Sequence, residues 1–110
     1  MISLKKTKDI ERVFKVGRGF KESSFLLKAA RNDIENSRFA FVAGLKVSKK
    51  ANQRNLVKRR MRAIVRAVLP AISPGFDVVI TALAGASDKS FQEIEAAINK
   101  LLRTSGLRKP

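Results

Sequence analysis

Residues 76–83, Phe-Asp-Val-Val-Ile-Thr-Ala-Leu, restrict the fold of this chain more than any other stretch. Four β-branched side chains in succession, Val78 to Thr81, crowd a helical turn but pack well on a pleated surface, so this segment is a strand. Pro74-Gly75 marks a turn before it and Gly85 ends it. A strand this apolar belongs in the middle of a sheet, and the rest of the chain must supply its neighbours. Ser24–Ala30 (Ser-Phe-Leu-Leu-Lys-Ala-Ala) and Arg38–Leu45 (Arg-Phe-Ala-Phe-Val-Ala-Gly-Leu) read as two further strands. The turn-rich Arg31–Asn36 segment between them predicts an antiparallel hairpin.

Helical spacing fills the remainder. Thr7 is placed to cap a first helix in which Ile10, Val13 and Phe14 recur on one side, and Gly17 with Gly19 ends it. Lys46 to Gln53 is a basic connection into a middle helix that Pro70 closes. Ser90-Phe91-Gln92-Glu93 has the capping-box pattern, and behind it Phe91, Ile94, Ala97, Ile98, Leu101 and Leu102 share one face. The polar, basic residues 104–110 are expected to fray. The order is therefore α-β-β(-β)-α-β-α, an α+β two-layer sandwich with helices over one sheet. A chain of 110 residues fits a single domain, 1–110.

The middle helix carries the functional signal. At about 100° per residue, Val57, Met61, Ile64, Val65 and Val68 fall on one side, while Asn55, Lys58, Arg59, Arg62 and Arg66 fall in an adjoining arc. One face can bury and the other can grip. Between Glu35 and Asp77 the chain has no acidic residue, yet Arg38, Lys46, Lys49, Lys50, Arg54, Lys58, Arg59, Arg60, Arg62 and Arg66 all lie there, ten of the 24 cations. Elsewhere 14 cations meet all 9 acids, so most of the +15 net charge is concentrated in this window. Like charges at i and i+4, such as Lys58 with Arg62, repel by a few tenths of a kcal/mol each. A helix needing only solubility would intersperse the two signs. The unrelieved stripe therefore points to a polyphosphate partner rather than to a merely solvated face.

Chemistry by the chain itself is poorly provided for. His, Cys and Tyr are absent, which removes the usual general bases, imidazole metal ligands and thiol nucleophiles. Asp9 with Glu11, and Glu93 with Glu95, are two apart and diverge on a helix. No metal-cage spacing and no Gly-rich phosphate loop occurs, so neither catalytic nor metal-ligating residues are assigned. No segment is apolar over the ~18 residues that a membrane span needs, no signal peptide is evident, and the chain is expected in the cytoplasm. Seven Phe and no Trp or Tyr make up the aromatic set. Most are core, but a ring such as Phe14 beside Lys6, Lys15, Arg18 or Lys28 would suit stacking of unpaired bases.

Val47-Ser48-Lys49-Lys50, then Arg54-Asn55 with Lys58-Arg59 and Arg62 behind, then Pro74-Gly75-Phe76-Asp77-Val78-Val79-Ile80, and finally the Phe91 to Leu102 helix with Arg103, form a long combination. In it the chain resembles the protein subunit of bacterial ribonuclease P nearly end to end. Leu56 stands where the family's Arg-Asn-Arg signature has its second arginine, and the connection from Lys50 to Arg54 is shorter than usual and lacks a Gly-Asn.

The resemblance implies a small basic protein that assembles with a catalytic RNA subunit. That RNA, with magnesium, removes the 5′ leader from precursor tRNA. It implies no cofactor held by the protein alone and no cleavage by the protein alone, and no protein partner is inferred. It carries RNA contact to Arg54, Asn55, Lys58, Arg59 and Arg62, with Lys49 and Lys50 in support, and a leader-binding cleft to Lys6, Ile10, Phe14 and Lys28; the charge of the window adds Lys46 and Arg66 to the RNA-binding candidates. Ile10 and Lys28 stand where relatives often have aromatics, which leaves Phe14 as the stacking ring. It also implies a left-handed crossover for the basic helix, against the usual rule. The alternative readings are a ribosomal or other structural RNA-binding protein and, against the sheet-rich layout, a DNA-binding helix module.

Overall fold

The computed structural model describes residues 1–109. Five strands form one sheet: β1 (Ile2–Ser3), β2 (Arg18–Glu22), β3 (Phe25–Arg31), β4 (Arg38–Ala43) and β5 (Phe76–Ala82), in the spatial order β1-β4-β5-β3-β2. The β-branched strand is central, as its composition requires. Residues Asp77 to Ile80 are each at most 1% exposed. It runs parallel to β4 and antiparallel to β3.

The two strands expected as a hairpin are present but do not pair, because β5 lies between them. Their connection spans two strand spacings and is fastened across the start of β5. The Asn32 N–H donates to the Gly75 carbonyl at 2.9 Å, and the Ser37 hydroxyl donates to the Ser73 carbonyl at 2.8 Å and accepts from the Phe76 N–H at 3.0 Å. Inserting the most apolar strand there covers both its edges and both its faces, which a β3–β4 pair would leave undone. The hairpin partner of β3 is instead β2, in a register running from Arg18 opposite Ala29 to Glu22 opposite Phe25. Arg-Gly-Phe-Lys-Glu is a short, largely solvent-facing edge strand, so it has little periodicity to read.

The helices are α1 (Thr7–Val16), α2 (Ala51–Ala67) and α3 (Phe91–Thr104). Thr7 is the first helical residue of α1 rather than its cap; Lys6 holds the cap position without a side-chain bond. Gly17 turns α1 into β2 at a close approach, since a Cβ there would collide with the Val13 carbonyl and stand 3.0 Å from the Ala29 carbonyl oxygen. At Gly75 the turn requires φ +87°, which glycine adopts at no steric cost. α2 ends short of Pro70, which lies in a following 3₁₀ turn, Leu69–Ala71. At α3 the capping box is formed, with Ser90 Oγ accepting from the Glu93 N–H at 3.1 Å and Glu93 Oε1 accepting from the Ser90 N–H at 2.9 Å.

The period of two along the strands separates two cores. Phe25, Leu27, Phe39, Phe41, Val78 and Ile80 face α2 (Val57, Met61, Ile64, Val65) and α3 (Ile94, Ile98, Leu101, Leu102), which builds the sandwich. The Phe39 and Phe41 rings stack within it, 6.5 Å apart. Ala30 and Val79 point the other way and pack with Leu4 and Val13, so α1 lies on the opposite face of the sheet from α2 and α3. No helix is long and apolar enough to cross a membrane among the described residues.

The tail does not fray. Leu107 is 2% exposed in the main core, Arg108 bridges Ile72, and the Ser73 N–H donates to the Leu107 carbonyl at 2.8 Å. A single buried leucine in an otherwise polar heptapeptide holds it down; Pro110 lies outside the described residues. Leu107→Ala is expected to cost about 2–5 kcal/mol by urea unfolding. A loss under about 0.5 kcal/mol, the range of surface substitutions, would mean that the tail is not part of the core.

Candidate nucleic-acid interface

α2 presents the two faces its spacing predicts. Val57, Met61, Ile64 and Val65 are at most 2% exposed, whereas Asn55, Arg59 and Arg66 are exposed and Lys58 and Arg62 half-buried. The helix packs on β4 and against α3. Among the described residues, none of Lys46, Lys49, Lys50, Lys58, Arg59, Arg62 and Arg66 is within ion-pair distance of an acid. Their counter-charge is not supplied by the described fold. Arg62 is additionally held in place, its guanidinium 5.5 Å from the centroid of the Phe41 ring.

Arg38 is the exception in the acid-free window. Its Nε and Nη2 donate to the two carboxylate oxygens of Asp77 at 2.8 and 2.7 Å, and Nη1 lies 3.4 Å from Asp9 Oδ2. Burial of Asp77 would raise its pKa, but the hydrogen bonds from Arg38 and from Asn32 Nδ2 (2.9 Å), with the Arg38 charge, hold the carboxyl below the usual range. Arg38 therefore belongs to the fold, tying β4 to β5 and α1.

Arg54 occupies a different place from the rest of the stripe. It is half-buried and its Nη1 donates to the carbonyls of Ser48 and Lys49 at 2.9 and 3.0 Å. Ser48 Oγ accepts from the Lys50 N–H at 3.1 Å and donates to Gln53 Oε1 at 2.6 Å. Arg54 and Ser48 thus fold the basic connection onto the first turn of α2, which fixes where Lys49 and Lys50 emerge. The first turn carries no acid, and Lys50 caps it without a side-chain bond.

The other expected cluster lies across the sheet. Lys6, Ile10 and Phe14 are four apart along one edge of α1. Phe14 is 40% exposed, and Lys28 from β3 reaches it, donating to the Phe14 carbonyl at 2.9 Å with Nζ 5.9 Å from the ring centroid. Lys6 is exposed, but Ile10 is half-buried against the α1 core and serves packing. Beside this edge, Leu26, Thr81 and Val42 stand in register across β3, β5 and β4 on the same face, all half-buried. Thr81 Oγ1 is buried with no hydrogen-bond partner. At the end of this row opens a pocket of about 350 Å³ lined by Val42, Leu45, Lys46, Thr81 and Leu83. Lys46 thereby joins the trough to the connection that enters α2. Leu26, Val42, Leu45 and Thr81 escape a reading of the sequence, because their shared face follows only once β5 is placed between β3 and β4.

Among the described residues no group of three or more Asp and Glu side chains is arranged to hold a metal ion. The cationic stripe on α2 and the apolar trough edged by Lys6 and Lys28 have the charge and shape to bind an anionic polymer.

The sequence profile of the family described as Ribonuclease P matches residues 2–106. The ribonuclease P protein component of Synechocystis sp. is 32% identical over 96% of this chain and 86% of its own length. That of Phytoplasma australiense is 34% identical over 88% and 84%. Among solved structures, the RNase P protein of Thermotoga maritima superposes with a TM-score of 0.84 at 27% identity, covering 94% of this chain and 97% of that one. The Staphylococcus aureus protein, at 22% identity, has the same fold with a TM-score of 0.91 over 99% of both chains. With the profile spanning nearly the whole sheet and all three helices, the chain belongs to the ribonuclease P protein family.

Proposed function

We propose that the chain is the protein partner of the catalytic RNA of ribonuclease P, acting in the cytoplasm in the 5′ maturation of precursor tRNA. The observation that carries this reading is the stripe on α2, whose cations have no acid partner among the described residues. In this reading Lys46, Lys49, Lys50, Asn55, Lys58, Arg59, Arg62 and Arg66 lie along folded RNA, and Arg54 acts chiefly by shaping the connection that presents Lys49 and Lys50. The trough beside α1 takes the single-stranded leader, with Phe14 stacking a base and Lys6 and Lys28 meeting its phosphates. Ile10 supports the floor of that trough by packing. Magnesium would enter with the RNA in the assembled enzyme, where it would support the hydrolysis. The protein's part is to bind and orient, and the RNA carries the bond-breaking step.

Reconstitution with a bacterial ribonuclease P RNA tests this. The protein should accelerate cleavage of precursor tRNA at magnesium concentrations where the RNA alone is slow, and should cleave nothing without it. Phe14→Ala should weaken binding of leader-bearing substrate by about 1–3 kcal/mol, the worth of one stacked base, and leave mature tRNA binding unchanged. No acceleration by the protein, together with ribosomal RNA as the species that co-purifies with it, would refute the assignment in favour of a ribosomal role.

A further inference from the structure

A third basic concavity lies apart from both surfaces, where the start of β2, the end of β3 and the segment after α3 meet. It is a cavity of about 490 Å³ whose wall carries Arg12, Arg18 and Arg31. No acidic residue lines it, and among the described residues none of the three arginines is in an ion pair. Two of them rest on aromatic rings: the Arg18 guanidinium is 5.5 Å from the Phe20 centroid and that of Arg31 is 5.3 Å from Phe76. Arg12 donates to the Arg31 carbonyl at 2.7 Å, which ties α1 to the rim. Arg12 and Phe14 are two apart, about 200° around α1, so this rim points away from the trough.

Three guanidiniums around one hollow repel each other; Arg12 feels the Asp77 carboxylate at a distance, but no acid lines the hollow and none is in ion-pair contact with Arg18 or Arg31 among the described residues. The Phe20 and Phe76 rings already carry guanidiniums, so they offer less aromatic surface to a base. What the wall offers is planar sets of N–H donors whose spacing matches phosphate oxygens, held by stacking so that little side-chain freedom is lost on binding. The volume lies within the range of small-ligand sites. β2 is the outermost strand of the sheet, which leaves room for a polymer to run past the opening.

We propose that this cavity is a phosphate site that takes a backbone phosphate of a single-stranded RNA segment, separate from the segment held in the trough. The proposal rests on the reading of the chain as an RNA-binding subunit and adds a third point of attachment, at the edge of the sheet formed by β2. The same chemistry would accept a free phosphate, so the test separates the two sources.

The full-length protein is labelled with phenylglyoxal, which modifies arginine, and the modified peptides are quantified by mass spectrometry. Labelling is compared at matched ionic strength in chloride, in inorganic phosphate and with decauridylate. Protection of Arg18 and Arg31 by decauridylate is the expected result. Protection by inorganic phosphate alone would overturn the strand and leave a small-phosphate site, and no protection by either would remove the site. Arg18→Gln with Arg31→Gln should weaken decauridylate binding about tenfold and flatten the log–log salt dependence by about 0.7, the single-strand coefficient for the one phosphate held there. Arg18→Lys with Arg31→Lys retains the charge and should recover the salt slope but only part of the affinity, which guards against misfolding of the first variant. Binding of both variants equal to that of the parent would refute the proposal. Protection of Arg59 and Arg66 by folded ribonuclease P RNA, read in the same digests, reports separately on the proposed function.

Discussion

Arg38→Ala is expected to cost about 3–5 kcal/mol in stability, measured by urea unfolding at neutral pH, because it leaves the Asp77 carboxylate buried without a cation. Asp77 is 1% exposed and would keep only the Asn32 amide of the partners described above. The reverse change should be milder. After Asp77→Ala the Arg38 side chain, 24% exposed, still has Asp9 and solvent within reach. The double variant should recover part of the Arg38→Ala loss, the signature of a coupled pair. The pH dependence follows from the depressed pKa of Asp77. Its stabilising contribution is present above the unfolded carboxyl value of about 3.9 and is lost as pH falls through the lower, folded value. In Arg38→Ala the same carboxyl, buried without its ion pair, is pushed upward instead. The stability gap between parent and variant should therefore narrow on acidification, first above about pH 4 as the variant's raised carboxyl takes up its proton and then below about pH 4 as the parent's does. A gap that stays constant from neutral pH down through that range would mean the pair is not coupled as its geometry indicates. Because Arg38 belongs to the fold, the folded fraction of this variant should bind RNA with unchanged salt dependence.

Lys58→Gln, Arg59→Gln and Arg66→Gln together should have the opposite profile, an intact fold and a damaged interface. These side chains have no acid partner, and removing them relieves like-charge repulsion along α2, so stability should change by less than about 0.5 kcal/mol or rise slightly. Arg62 is left in place to keep its contact with Phe41. If the three cations replace counterions on duplex RNA phosphates, the slope of log affinity against log salt should flatten by about 2.7. A triple variant whose salt dependence equals that of the parent would place the RNA elsewhere on the protein.

How much was legible in the sequence depended on whether the signal was local. The β-branched run named the central strand, the Ser90–Glu93 pair named the start of α3, and the 3.6-residue period of α2 named both its buried and its charged side chains. Strand order was not legible. The connection from Arg31 to Ser37 is compatible with a hairpin, and only the competing demand of β5 for two neighbours separates β3 from β4. The trough residues Val42 and Thr81 were hidden for the same reason. Arg38 looked like one more interface cation because its neutraliser, Asp77, is 39 positions away, and the clamp made by Arg54 depends on a loop conformation with no periodic signature. The tail misled by its polarity, since Leu107 is its one buried apolar side chain and the backbone bonds that help hold it leave no mark in the sequence.

The placement of β5 also sets a timetable. Its neighbours β3 and β4 are both made before it, so nascent chain that stops short of Ala82 carries two apolar edges with nothing between them, and the large core cannot close. Pairings this distant along the chain slow the search for the native arrangement and lengthen the interval in which sticky surface is open. During that interval the ten-cation window, already synthesised, repels other copies of itself, a built-in deterrent to clumping until the final strand arrives.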